Sequence, residues 1–170
     1  IIRMVKALIT TVPFGENNRL PLELLEKAEI EYLINPHKKK LTEDQLYELI
    51  RDFDVLIAGT ESITDKVLAQ ASKLKLISRV GIGLDSVDLI SARKRGIKVS
   101  YTPDAPAPAV AELTLGLILS LLRSVHISNL HLHNGKWERI FGRRLNDITV
   151  GIIGVGRIGT RLLRCMSGFG

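Results

Sequence analysis

Cysteine is nearly missing from this chain. Cys165 is the single one in 170 residues, which excludes an internal disulfide framework and points to a reducing compartment, so a cytoplasmic location is expected. It falls in a predicted helix, where a buried, structural thiol is the expected state. Aromatic side chains make up only 5% of the sequence, too few to interleave with basic residues as a nucleic-acid surface requires. The basic clusters Lys38-Lys39-Lys40, Arg93-Lys94-Arg95 and Arg143-Arg144 fall in turns or at helix ends. The net charge of +6 therefore reads as a solvated surface that modestly favours anionic ligands, and no nucleic-acid partner is expected. A membrane-length apolar run is also missing. The most apolar stretch, 109–122, carries Glu112 and falls short of the ~20 residues that span a bilayer, so a buried helix is expected and no membrane association. Residues 1–10 read as a strand rather than a secretory leader. Internal repeats and low-complexity segments are absent.

What is present is ordinary globular material, 45% hydrophobic and 25% charged, sufficient for one large or two small domains. The first hundred residues alternate strand and helix patterns. Strands are predicted over 5–10, 30–34, 55–58, 76–80 and 97–101, with helices over 20–28, 42–51, 64–71 and 87–95. Pro21 suits a first helical turn, and Thr42-Glu43-Asp44-Gln45 has the form of a capping box. Alternation at this spacing predicts a parallel sheet with helices on both faces. The pattern then breaks at Pro103, Pro106 and Pro108, which stiffen the chain and mark the expected domain crossing. A helix over 109–123 follows, with Val110, Leu113, Leu117 and Leu121 on one face and Leu115, Ile118, Leu119 and Leu122 filling much of the rest. A helix apolar nearly all round must be buried on several sides, between domains or between subunits. Glu112, its odd charged residue, is expected to cap or pair at the domain junction or to lie near the cleft. A more polar helical stretch leads to Gly135, and a strand over 148–153 is expected to open a second sheet.

Two glycine loops carry the chemistry. Gly154-Val155-Gly156-Arg157-Ile158-Gly159 lies between that apolar run and a helical pattern, the setting of a dinucleotide-binding turn. Gly154 permits the tight turn, Gly156 lets backbone approach a pyrophosphate, and Gly159 lets helix and strand pack closely. The following helix N-terminus favours phosphate. The second loop, Arg79 to Asp88, places Gly81 and Gly83 after a strand. Its N–H groups could hold a carboxylate, or it is a tight turn with Asp85 as helix cap; spacing leaves both readings open. The histidines do not assemble a metal site. Neighbours two and five apart on a helix diverge, and His126 and His133 lie two turns apart, roughly 10 Å. His37 reads as an exposed loop residue, and no nucleophile–base pairing emerges.

Taken together, Arg79-Val80-Gly81-Ile82-Gly83-Leu84-Asp85, Gly96-Ile97 with Val99, Thr102-Pro103, Ala109-Val110-Ala111-Glu112-Leu113, Gly135 with Trp137, and Gly151-Ile152-Ile153-Gly154 with Gly156-Arg157-Ile158-Gly159 resemble the D-isomer-specific 2-hydroxyacid dehydrogenases. That family includes phosphoglycerate, glycerate and D-lactate dehydrogenases, and the resemblance spans essentially the whole chain. It implies an α/β fold: a flavodoxin-like, parallel-sheet substrate domain over 1–103, then the start of a Rossmann-type nucleotide-binding domain over 104–170. It implies hydride transfer between a small 2-hydroxy acid and NAD. Val80 and Gly81 match the loop that holds the substrate carboxylate. Gly154, Gly156, Arg157, Ile158 and Gly159 match the cofactor loop, and the helix from Ala109 matches the segment through which members form homodimers.

The resemblance also implies that the catalytic arginine, glutamate and histidine lie downstream of residue 170. No catalytic residue is assigned within the chain, which is expected to be inactive alone and to bind NAD weakly or not at all. Tyr101 stands where many members carry asparagine, Ala107 where many carry threonine, and Thr60 where phosphoglycerate dehydrogenases often carry a phosphate-reading arginine. These departures leave the particular 2-hydroxy acid open. The family fold also serves a transcriptional co-repressor that senses NAD(H), which stands as the alternative function.

Overall fold

A computed structural model describes residues 4–170. The chain divides into two units, one running to Pro103 and one from Asp104 to Gly170. The first is built on five parallel strands, β1 (Lys6–Ile9), β2 (Glu31–Ile34), β3 (Val55–Ala58), β4 (Leu76–Arg79) and β5 (Lys98–Tyr101). Their spatial order is β2-β1-β3-β4-β5, the flavodoxin-like arrangement, in which the strand order reverses direction between β1 and β3. Part of the segment read as a strand within 1–10 falls on residues 1–3, outside the described residues.

Parallel strands need long crossovers, and the four helices supply them. These are α1 (Leu20–Lys27), α2 (Glu43–Leu49), α3 (Asp65–Gln70) and α4 (Leu89–Lys94). The capping box forms as the sequence predicts: the Thr42 hydroxyl accepts from Gln45 N–H, and the Gln45 side chain accepts from Thr42 N–H. Thr64 caps α3 in the same sense. Asp85 is not the cap of α4; Asp88 is, accepting the Ser91 N–H at 2.9 Å. The helix begins later than predicted because Ile63 N–H bonds Ser86 C=O and Asp88 N–H bonds Ile63 C=O, holding the preceding segment extended. Leu8, Leu56 and Ile77 from the central strands meet Leu46, Val67, Leu68 and Ala92 from the helices in one fully buried cluster. Each large side chain removed from water there contributes about 1.5–3 kcal/mol.

The second unit is helical among its described residues: α5 (Ala107–Leu122), α6 (Val125–His133) and α7 (Arg157–Met166). Proline does not keep α5 out of the proline-rich segment. Pro108 sits in its first turn, where no N–H is needed, so the helix starts two residues earlier than expected. The chain bends by 66° between α5 and α6, at Ser124, which takes a left-handed conformation. α5 packs on α7, and the buried residues of the two helices are Ala107 and Ala111 in α5 and Gly159 and Leu162 in α7.

The strand predicted over 148–153 is not formed. That stretch carries no ladder, no other described segment of its unit forms a strand to pair with it, and Ile153 is fully exposed. Cys165 is exposed rather than buried, because α7 buries only Gly159 and Leu162. No single helix among the described residues is long and apolar enough to cross a membrane.

Candidate functional site

The carboxyl ends of β1, β3 and β4 in the first unit surround a cavity of about 140 Å³. It lies where the strand order reverses, the position at which open parallel sheets bind ligands. Thr10, Thr11 and Val12 line it from the loop after β1, Gly59, Thr60 and Glu61 from the loop after β3, and Arg79 and Val80 from the end of β4, with Lys40 alongside. Asn35 organises the Lys40 side. Its buried amide donates to the carbonyls of Thr10 and Lys39, and its oxygen accepts from His37 N–H. Glu61 is almost fully buried, yet it accepts the Thr10 hydroxyl and the Gly59 N–H, which offsets the cost of removing the carboxylate from water. Arg79 is also buried. One guanidinium nitrogen donates to Val80 C=O, and its Nε has no partner among the described residues. An unsatisfied buried donor costs about 1–3 kcal/mol, which an acceptor in this cavity would recover.

Gly81 follows Val80, the last residue lining the cavity. Its φ is +147°, a conformation that strains an L side chain, and a Cβ there would lie 2.6 Å from the Arg79 guanidinium and displace it. The backbone at Val80 and Gly81, expected to hold a carboxylate, is largely engaged. Val80 N–H donates to Ala58 C=O, extending the ladder by one bond. Gly81 N–H donates to the Thr102 hydroxyl at 3.0 Å, and Thr102 N–H returns a bond to Gly81 C=O. The next two N–H groups, at Ile82 and Gly83, have no hydrogen bond among the described residues, so the loop keeps open donors just beyond the expected pair. Thr102 was legible only as part of a Thr-Pro pair. Glu61 and Asn35 carried no sequence signal beyond their position after strands, and Lys40 was visible only as part of a basic cluster, because burial and convergence at the sheet edge are long-range properties.

In the second unit the glycine motif takes three different environments. Gly154 has φ +92°, a conformation that an L side chain strains. A Cβ on Gly159 would come within 2.5 Å of the Gly154 carbonyl oxygen, which accounts for the close packing expected of it. Around Gly156 a Cβ would meet nothing within 4 Å, so the protein leaves open the space where a pyrophosphate is expected to approach. Gly156 precedes α7 as its N-cap, and Arg157 and Ile158 begin the helix, whose first N–H groups lack intrahelical acceptors. Arg157 Nε lies 3.2 Å from the Asp104 carboxylate. The residues present thus fit a dinucleotide phosphate: an open glycine, a helix start and a guanidinium already paired with an anion. His131 Nδ1 lies 3.0 Å from the Glu138 carboxylate without a hydrogen bond of good geometry, and His133 is bonded to Asn129 C=O. No group of three metal-ligating side chains occurs among the described residues. Glu112 is exposed on α5.

Comparison with known proteins meets this geometry. The D-isomer specific 2-hydroxyacid dehydrogenase catalytic-domain profile matches residues 12–164. A D-3-phosphoglycerate dehydrogenase of Methanocaldococcus jannaschii is 39% identical, over 98% of this chain and 31% of its own length. A hydroxypyruvate reductase of Thermotoga maritima is 36% identical, over 86% of this chain and 50% of its own. The chain therefore spans half or less of the length of these relatives. Among solved structures, the TT0316 protein from Thermus thermophilus superposes with a TM-score of 0.86 at 30% identity, over 98% of this chain and 54% of that one. An NAD+-bound 3-phosphoglycerate dehydrogenase of Entamoeba histolytica superposes with a TM-score of 0.79 at 30% identity, over 99% and 52%. With the profile match covering most of its length, this chain belongs to the D-isomer-specific 2-hydroxyacid dehydrogenase family.

Proposed function

We propose that this chain supplies the substrate-carboxylate loop and the opening of the NAD site of a cytoplasmic dehydrogenase that moves hydride between NAD and C2 of a D-2-hydroxy acid. The observation that carries this reading is the division of labour among the three glycines: Gly154 and Gly159 are required by the fold, while Gly156 faces open space. NAD supplies the hydride acceptor. Gly154, Gly156, Arg157, Ile158 and Gly159 hold its pyrophosphate by backbone N–H groups and one guanidinium. The loop at Val80 and Gly81 receives the substrate carboxylate through the free N–H groups at Ile82 and Gly83, with the Thr102 hydroxyl fixing Gly81. The cavity at Arg79, Glu61 and Lys40 takes the rest of the substrate. A polar lining favours a 2-hydroxy acid with a polar C3 substituent, such as glycerate or 3-phosphoglycerate, over lactate.

The catalytic arginine, glutamate and histidine are assigned to sequence outside these 170 residues. Val110, Leu113, Leu117 and Leu121 expose one apolar stripe of α5, and we assign it to a homodimer interface. The test is NADH-linked reduction of a panel of 2-oxo acids, run on this chain and on a polypeptide extending it to the length of its relatives. Turnover by the longer protein only, strongest with hydroxypyruvate-type substrates, is expected. Turnover by the 170-residue chain, or none by either, overturns the reading.

A further inference from the structure

Arg157 is not alone on its carboxylate. Arg161, one turn along α7, lies 3.6 Å from the same Asp104 oxygen. Its guanidinium also donates to Arg157 C=O at 3.0 Å, which aims it along the helix toward Arg157. Two guanidiniums therefore converge on one anion, and neither arrangement is a product of sequence proximity to Asp104, which precedes α7 by more than fifty residues. Asp104 itself is held in place. It follows Pro103, and its carbonyl accepts the Ala107 N–H at 3.2 Å in the turn that leads into α5. The carboxylate is thus presented to α7 by a turn, while α5 and α7 are packed together behind it.

We propose that Asp104 is an internal competitor for the dinucleotide pyrophosphate, and that Arg161 is a second guanidinium of the pyrophosphate site. This rests on the dinucleotide reading above. A guanidinium pair that binds one carboxylate oxygen has the donors and the charge to bind a phosphoryl oxygen, with a more favourable interaction because the phosphoryl group carries more charge and more acceptors. The trio is solvent-exposed, with side-chain exposures of 34–61%, so the internal pair is weak and readily exchanged. Pyrophosphate arriving beside open Gly156 takes Arg157 and Arg161 from Asp104, which then lies free and like-charged beside the ligand. Asp104 lowers the affinity that the two arginines would otherwise give, both by occupying them and by repelling the incoming anion.

The experiment is calorimetric titration of inorganic pyrophosphate, without magnesium and at low salt, into the 170-residue chain and two variants. Asp104→Asn is expected to tighten binding by about three- to ten-fold, and Arg161→Gln to weaken it by a comparable factor. Both positions are exposed, and thermal melts of each variant verify folding. An unchanged or weakened affinity in Asp104→Asn, or an unchanged affinity in Arg161→Gln, overturns the inference while leaving the dinucleotide site standing. Absence of pyrophosphate binding in all three proteins overturns the inference together with the site on which it rests.

Discussion

The two units solve the same problem at different ranges. In the first, every strand has its neighbours within the same hundred residues, so the sheet closes and Leu8, Leu56 and Ile77 lose all contact with water. In the second, an equally apolar run, Ile148 to Ile153, stands single beside a helix pair, and Ile153 faces solvent. Yet the glycine turn that follows it is formed, with its left-handed Gly154 and the close contact at Gly159. A turn depends on the dihedrals of a few consecutive residues and on one adjoining helix. A strand depends on partners elsewhere. The turn can therefore be complete where the strand before it has no sheet to join.

The comparison is tested most strongly by matched truncations. Ile77→Ala in β4 removes a side chain with no exposure and should cost about 2–5 kcal/mol. Ile153→Ala should change stability by less than about 0.5 kcal/mol, since surface substitutions rarely do more. Urea melts followed by circular dichroism separate the two. A large cost at Ile153 would mean that the 148–153 segment is packed in solution, and the contrast would fail.

A smaller effect is expected within the glycine motif. Gly159→Ala places a methyl group 2.5 Å from a backbone oxygen that cannot rotate away, an overpacking that costs about 1–3 kcal/mol. Gly156→Ala meets open space and should leave the melting midpoint unchanged while weakening pyrophosphate binding in the calorimeter. If both variants melt alike, the motif is not divided between fold and ligand.

These contrasts also explain what could be read in advance. The five strands of the first unit, the capping box at Thr42, the order of the helices and the glycine motif all rest on local patterns, and each formed near its predicted place. Asp88 displaced Asp85 as the cap because Ile63, more than twenty residues away, pins the intervening loop. The break at Ser124 falls where the apolar helical pattern ends, although no glycine or proline marks it. Cys165 is exposed, and residues 148–153 are unpaired, because periodicity reports that a segment is fit for burial and not whether a partner exists. The cavity residues Thr10, Glu61 and Arg79 are the same lesson at the site: their roles come from convergence at the ends of β1, β3 and β4.

The smallest effect concerns how carboxylates tie elements together within each unit. In the first unit Asp65, at the start of α3, accepts the Ser91 hydroxyl at 2.7 Å and lies 2.8 Å from Arg95, so it joins α3 to α4. The Ser91 hydroxyl, then the Arg95 side chain, hold its carboxyl below the ordinary range. The Ser91 N–H, then its side chain, do the same for the cap Asp88. In the second unit the lowered carboxylate is Asp147, held by Arg144 three residues away within one short turn. A carboxylate whose pKa is lower folded than unfolded contributes stability above the unfolded value and loses it as pH falls through the folded one. The first unit should therefore lose stability progressively below about pH 4, where these aspartates take up protons. Asp65→Asn should flatten that acid slope in urea melts taken from about pH 5 to about pH 3. Asp147→Asn should change it less, because its ion pair closes a local turn that the unfolded chain can also form; a slope altered equally by both variants would show that sequence separation does not govern what these pairs stabilise.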